Sequence, residues 1–168
     1  KRVYREKSRS ERLINHCLFL ANIYFYLLKQ SIRTGDILHF YTKTDLHNHY
    51  YLPYNRPDAY IALEESEGQI KRYFLEIVDE GTPRFMLRSK ISQYIDYFSE
   101  QTWQNKTGHP FPSLLFVCPN ETLKSYLHKH IRQVLEEEAE DDISFYLTTV
   151  QDLEVSQLQI NIWELVEE

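Results

Sequence analysis

The chain has 168 residues, of which 42% are hydrophobic and 14% aromatic, with four glycines and six prolines. This length suits one domain, and the composition excludes wholesale disorder, collagen-like repeats and low-complexity sequence. The 19 basic and 25 acidic residues give a net charge of −6, which argues against a nucleic-acid binder that works through overall charge alone.

Compartment and membrane association are constrained by two features. Cys17 and Cys118 are too few and too far apart for a disulfide framework or a zinc knuckle. The most apolar run, residues 17–28, spans 12 residues, whereas a bilayer crossing needs about 20. We therefore expect a cytoplasmic protein with no membrane partner.

The first predicted element is a long helix. Ser10 is a suitable N-cap, the helix runs from Glu11 to about Ser31, and Gly35 follows its end. Apolar residues cover most of its circumference, which predicts a helix that is buried on more than one side. Residues 37–41 then form a short strand.

The following elements predict an α/β fold. Strands are expected at 59–63 and 72–78, a helix through Met86–Phe98, a buried strand at 114–118, and a helix through Leu123–Leu135. Further strands are expected at 144–149 and 160–166. A helix between two strands requires a crossover, so the order helix, three strands, helix, strand, helix, strand predicts a mixed sheet.

The charges are distributed unevenly along the chain. The first twelve residues hold six basic side chains, and eleven acids but no Lys or Arg follow Arg132. The basic end could contact DNA phosphates, through Lys1, Arg2, Arg5, Lys7 and Arg9. Tyr51 and Arg56 belong to a loop that combines tyrosines with basic residues, as the surfaces that stack single-stranded DNA bases do. The acidic end could instead serve a protein-binding module, and both ends could also be solvated faces.

Three carboxylates and one lysine form the candidate catalytic set. Asp58 precedes one strand, Glu76 lies inside the next, and Asp79 follows it, so antiparallel pairing brings Asp58 near Glu76 or Asp79. Two such carboxylates can hold Mg²⁺, which polarises a phosphoryl oxygen, and Lys90 could assist. In the alternative interpretation, Asp58 caps a loop and Asp79 orders the turn at Gly81.

The same segments resemble known nucleases. The element order, with Pro57-Asp58 before one strand and Glu76 in the next, looks like the three-layer restriction-endonuclease-like core. More specifically, the chain resembles the replication-relaxation family of plasmids and integrative elements. The segments that carry this resemblance are Tyr4, Leu13 and His16 in the opening helix region, Pro57-Asp58-Ala59, residues 75–82 (LEIVDEGT), and Lys90 with Tyr94.

The resemblance implies a domain organisation. Family members carry a winged-helix DNA-binding module ahead of this domain, so residues 1–10 are expected to be its end and residues 11–168 a single nuclease-like domain. DNA would be bound mainly through that preceding module, and protein partners or a homodimer are also expected.

Departures from the nuclease pattern favour a non-catalytic role. Active members of the superfamily have Lys two residues after the Glu, where this chain has Val78. The acid of the family pattern usually stands two residues before Asp79, but in this chain Glu76 stands three residues before it. A one-residue shift along a strand moves a side chain to the opposite face of the sheet. We therefore predict an accessory domain in plasmid or mobile-element replication or mobilisation, without a cofactor. The alternatives are a Mg²⁺-dependent nuclease that uses Asp58, Glu76 or Asp79, and Lys90, and a protein-interaction module.

Other reactive side chains receive structural interpretations. His16 is expected to be a packing histidine of the first helix, and His47 and His49 to be polar loop residues. Two histidines without a cysteine fall short of the three or four ligands that zinc requires. Cys118 follows a buried strand without a glycine-rich elbow, so we expect it to be inert.

Overall fold

A computed structural model describes residues 10–138, 142–155 and 162–167. The helices are α1 (Glu11–Thr34), α2 (Arg84–Ser99), α3 (Thr102–Thr107), α4 (Glu121–Glu138) and α5 (Val150–Val155). The strands are β1 (Ile37–Thr42), β2 (Ala59–Glu64), β3 (Ile70–Ile77), β4 (Ser113–Cys118), β5 (Phe145–Thr149) and β6 (Glu164–Leu165). A single turn of 3-10 helix, Asp45–Asn48, follows β1.

The six strands form one mixed sheet in the order β1-β2-β3-β4-β5-β6. Strands β1, β2 and β3 pair antiparallel as a meander, β3 pairs parallel with β4, and β4 pairs parallel with β5. Strand β6 pairs antiparallel with β5 at the edge. Both parallel pairs are joined through helices, as a crossover requires. The predicted α/β class with a mixed sheet is confirmed.

Helices cover the sheet on both sides and give three layers. On one side, which we call the α2 face, Phe74, Leu114, Phe116 and Phe145 pack with residues of α2, α3 and α4. On the other side, which we call the α1 face, residues such as Leu75 and Val117 pack with α1 and α5. Side chains alternate between these faces along each strand. In β3, the even-numbered residues such as Phe74 therefore pack against the helices of the α2 face, and the odd-numbered residues such as Leu75 pack against those of the α1 face.

The environment of α1 differs from the sequence prediction. Ser10 caps this helix by accepting a hydrogen bond from the Leu13 N–H, and Gly35 ends it in the left-handed conformation. However, Ile23 and Ser31 are the residues of the described helix that are fully buried, and several large apolar side chains face solvent. The prediction of burial on more than one side is wrong for this chain on its own, because the sheet covers only one side of the helix.

Other differences concern short elements. Helices α3 and α5 were not predicted, since six residues are too few to show a helical period. The strand expected at 160–166 is reduced to Glu164–Leu165, and residues 160 and 161 lie outside the described part of the chain. In the part of the chain that the structure describes, no helix combines the length and the hydrophobicity that a membrane span needs.

Candidate functional site

Asp58 lies where the meander brings the start of β2 beside the end of β3. Its backbone N–H donates to the Leu75 carbonyl and its carbonyl accepts from the Lys43 N–H, both at 2.9 Å. Its carboxylate Oδ2 accepts from the Ile77 N–H at 2.9 Å. The loop before β2 is therefore fixed to β3 through both the backbone and the side chain of Asp58.

On the α1 face, Asp58 and Asp79 share a histidine. His16 Nε2 lies 3.3 Å from Asp58 Oδ1, and His16 Nδ1 lies 3.5 Å from Asp79 Oδ1. Arg12, one turn earlier on α1, places Nη2 2.9 Å from Asp79 Oδ2. We call Arg12, His16, Asp58 and Asp79 the α1 cluster. It pairs two acids with two basic side chains.

The ionisation of the α1 cluster follows from these contacts. The hydrogen bond to Asp58 raises the pKa of His16, against the opposing effect of burial. Burial by itself would raise the pKa of Asp58, but the hydrogen bonds from His16 and the Ile77 N–H outweigh it and lower that pKa. The contacts therefore favour an imidazolium between two carboxylates.

On the α2 face, Glu76 forms a separate buried cluster. Its Oε1 lies 2.8 Å from Lys90 Nζ and accepts a hydrogen bond from the Tyr94 hydroxyl. Lys90 also donates to the Asn55 carbonyl at 3.0 Å. We call Glu76, Lys90 and Tyr94 the α2 cluster.

Burial dominates the ionisation of the α2 cluster. It raises the pKa of Glu76 to about 7, although Lys90 opposes this shift. It also raises the pKa of Tyr94 well above the usual value, so the hydroxyl remains a donor. Glu76 therefore titrates near neutral pH, in contrast to Asp58.

The two clusters influence each other across the end of β3. The charge of Lys90 contributes to the lowered pKa of Asp58, and the charge of Asp58 contributes to the raised pKa of Glu76. Glu76 and Asp79 nevertheless have their partners on opposite faces, which is the arrangement that the one-residue offset in the sequence predicts. Asp58 is the residue that adjoins both groups.

The α1 cluster opens to a cleft. A cleft of about 1190 Å³ lies between the first half of α1 and the segment from β1 to the 3-10 turn, and His16, Asp58 and Asp79 are in its wall. Lys43 and His47 add basic and imidazole groups to its rim. Glu76 is absent from that wall and is buried. A ligand in this cleft would therefore meet two of the three predicted carboxylates.

The carboxylates do not converge as a Mg²⁺ site requires. In the parts of the chain that the structure describes, no group of three or more His, Cys, Asp or Glu side chains could hold a metal ion. Mg²⁺ needs a near-octahedral set of oxygen ligands, whereas these acids are each paired with a basic side chain. Within the described residues, the three predicted carboxylates therefore do not form a joint site for the metal of the nuclease alternative.

The predicted DNA-contact residues fall into two groups. Arg56 donates hydrogen bonds to the carbonyls of Leu46 and His47, each at 3.0 Å. The ring of Tyr51 packs against Trp103, and the backbone carbonyl of Tyr51 accepts a hydrogen bond from the Tyr97 hydroxyl. Both therefore stabilise their own loop. Lys1, Arg2, Arg5, Lys7 and Arg9 lie outside the described residues.

Three residues of the clusters were not selected from the sequence. Arg12 was counted only as a basic residue, His16 was assigned to packing, and Tyr94 was named for the family resemblance. Each of them contacts a candidate carboxylate. A signal was available, because Arg12 and His16 are four residues apart, as are Lys90 and Tyr94, and residues at that spacing share a helix face. Which carboxylate each pair meets depended on the tertiary fold.

The remaining predicted side chains occupy ordinary positions. Cys118 is buried, and burial raises the pKa of its thiol to about 12, which leaves little thiolate at neutral pH. His47 lies next to Asn48 in the 3-10 turn and His49 lies against Tyr51.

Sequence comparison identifies one family. The family model for replication-relaxation proteins matches residues 1–113, about two thirds of the chain, including both clusters. Comparisons with curated proteins and with solved structures find no match.

Proposed function

Because the chain belongs to the replication-relaxation family, we propose that it is a non-catalytic, nuclease-like accessory domain of plasmid or mobile-element replication or mobilisation. Membership of the family indicates a role in replication or mobilisation. The finer proposal rests on the topology and on the two carboxylate clusters.

The topology supports a nuclease-like origin. Helix α1, the meander β1–β3, helix α2 and the parallel strand β4 follow one another in the order that the nuclease resemblance implies. Asp58 and Glu76 occupy the expected places, before β2 and near the end of β3.

The pairing of each acid within the chain is the observation that carries the proposal. Asp58 is paired with His16 and the Ile77 N–H, Asp79 with Arg12 and His16, and Glu76 with Lys90 and Tyr94. A metal ion would have to compete with these partners for the carboxylate oxygens. The arrangement therefore favours a structural use of the acids over a metal site.

The position of the lysine supports the same conclusion. Val78, which stands at the usual lysine position, is buried in the core of the α2 face. Lys90 is held by Glu76 and by the carbonyls of Asn55 and Arg56. Its ammonium is therefore directed at the chain itself rather than at the open cleft. In this proposal, DNA affinity comes from a winged-helix module ahead of the domain.

A cleavage assay separates the proposal from the nuclease alternative. Supercoiled plasmid and single-stranded DNA are incubated with the chain in 1 to 10 mM Mg²⁺ or Mn²⁺, chosen as roughly the usual range for weak oxygen-ligand sites. We expect no cleavage above that of the Asp58→Asn and Glu76→Gln variants. Titration calorimetry with Mn²⁺ should likewise detect no site that Asp58→Asn removes.

A genetic assay tests the accessory role. Variants Asp58→Asn and Glu76→Gln that retain the wild-type circular dichroism spectrum should support replication or mobilisation of the parent element as well as the wild type does. Metal-dependent cleavage that both substitutions abolish, together with loss of the genetic function, would overturn the proposal and establish the nuclease.

A further inference from the structure

Helix α1 exposes a stripe of large apolar side chains on the side away from the sheet. The exposed fractions are 45% for Ile14, 60% for Leu18, 63% for Phe25 and 74% for Ile32. Ala21 and Leu28, between them, are half-buried. We call these six residues the α1 stripe. Scattered exposed apolar residues are ordinary, but a continuous stripe on one helix indicates an interaction surface.

The spacing of the α1 stripe is that of a coiled-coil interface. Leu18, Phe25 and Ile32 are seven residues apart, and Ile14, Ala21 and Leu28 form a second series offset by four from the first. These are the a and d positions of a heptad repeat, which face a partner helix when two helices pack side by side. The helix has 24 residues and is about 36 Å long, which is enough for three heptads.

The sizes of these side chains favour an antiparallel arrangement with a second copy of the chain. If Ile14 faces Ile32 of the other copy, Leu18 faces Leu28 and Phe25 faces Ala21. The largest side chain then meets the smallest, twice, which keeps the total side-chain volume similar from layer to layer. A parallel pair would place Phe25 against Phe25 and Ala21 against Ala21, which crowds one layer and leaves a gap in another.

The charges favour the same orientation. In the antiparallel register, Glu11 at the start of one helix lies near Arg33 at the end of the other, and the twofold axis repeats this pair. A parallel pair would instead place Glu11 opposite Glu11 at a heptad position. The flanking positions hold one charged residue, Lys29, which lies near Asn15 of the other copy in this register, so no like charges oppose each other there.

We propose that two copies of this chain associate through the α1 stripe as an antiparallel, twofold-symmetric helix pair. The proposal is independent of the nuclease-like interpretation, since the α1 stripe lies on the side of α1 opposite Ile23 and the sheet. It also accounts for the apolar residues that the sequence assigns to a second buried side of α1. A twofold pair would present two copies of a DNA-binding partner module to a symmetric site.

The oligomeric state tests the proposal. Sedimentation velocity or light scattering after gel filtration should find a dimer of the 168-residue chain at micromolar concentration. Phe25→Asp should weaken self-association by about 30-fold or more, as expected for a central interface residue. Phe85→Asp is the matched control, because Phe85 on α2 is 64% exposed and lies outside the α1 stripe.

Thermal unfolding monitored by circular dichroism ensures that both variants are folded. A monomer at 100 micromolar, chosen as roughly the upper range for weak specific association, would overturn the proposal. So would a dimer that Phe25→Asp leaves intact, because the interface would then lie elsewhere.

Disulfide trapping tests the register. In a Cys17→Ser background, which removes the exposed native thiol, chains with Ile14→Cys are mixed with chains with Ile32→Cys. The antiparallel arrangement predicts a mixed disulfide between the two chains and little disulfide within either chain type alone. Efficient trapping of Ile14→Cys with itself would show a parallel pair and would overturn the proposed arrangement.

Discussion

The α1 and α2 clusters contain the same kinds of groups but lie in different surroundings. Both pair carboxylates with basic side chains near the end of β3, and their distances are similar, at 2.9 Å for Arg12–Asp79 and 2.8 Å for Lys90–Glu76. The α1 cluster borders an open cleft, whereas the α2 cluster is enclosed by the aromatic core. The pKa values move in opposite directions, down for Asp58 and up for Glu76, although both carboxylates are largely buried.

This difference shows that pairing alone does not determine the state of a carboxylate. Hydrogen bonds from charged and backbone donors outweigh burial at Asp58, whereas loss of hydration outweighs the adjacent ammonium at Glu76. Substitutions in the α2 cluster should therefore affect stability more strongly, and substitutions in the α1 cluster should mainly alter the surface of the cleft.

The largest effect is expected from Tyr94, which is fully buried and stacks on Phe74. Tyr94→Ala should lower the free energy of unfolding by about 3 to 5 kcal/mol, because it removes a large core side chain. Tyr94→Phe keeps the ring but leaves Glu76 without its hydroxyl donor, so about 1 to 2 kcal/mol should be lost. Urea unfolding at neutral pH measures both values. Equal losses for the two variants would contradict a separate role for the hydroxyl.

The next effect is the pH dependence that Glu76 imposes. Its pKa rises from 4.5 to about 7 on folding, so the folded chain binds a proton more tightly and stability should fall as pH rises through that window. The full difference is on the order of 3 kcal/mol. Glu76→Gln should flatten this part of the stability profile, as measured by urea unfolding at a series of pH values. A Gln variant that keeps the wild-type slope between pH 4.5 and 7 would show that another group is responsible.

The smallest effects are expected in the α1 cluster. The raised pKa of His16 contributes stability that is fully present below pH 6.5 and is lost as pH rises through the folded pKa. His16→Gln should therefore cost about 1 to 2 kcal/mol at pH 5.5 and less at pH 8.5, in thermal or urea unfolding.

Arg12→Ala is the matched control for His16. Arg12 is largely exposed, so its loss should cost less than about 1 kcal/mol, with a dependence on salt rather than on pH. If the two substitutions show the same pH profile, His16 does not titrate between the two aspartates as proposed.

Much of the fold could be predicted from local sequence. The strand-forming runs at 59–63 and 72–78 predicted β2 and β3, and the apolar run at 114–118 predicted β4, because such runs are set by neighbouring residues. Glu76 and Asp79 are three positions apart, which predicts that their side chains face opposite sides of the sheet, and their partners do lie on opposite faces. The short helices α3 and α5 contain too few residues to produce such a pattern.

The roles of His16 and Tyr94 could not be predicted in the same way. Each lies on an apolar helix face where packing was a sufficient explanation, and each contacts a carboxylate that belongs to another element of the fold. Which carboxylate each side chain contacts, and the direction in which the pKa of that carboxylate moves, depend on how the helices pack around the end of β3.

The sequence by itself determined the α/β class, the mixed sheet and the heptad spacing of α1, because each depends on residue type and spacing within a segment. Tertiary structure decided that Lys90 is held by Glu76, that His16 joins Asp58 to Asp79, and that the α1 stripe faces away from the sheet. Those contacts join residues from different elements of the fold, and their energies depend on burial, which only the packed chain defines.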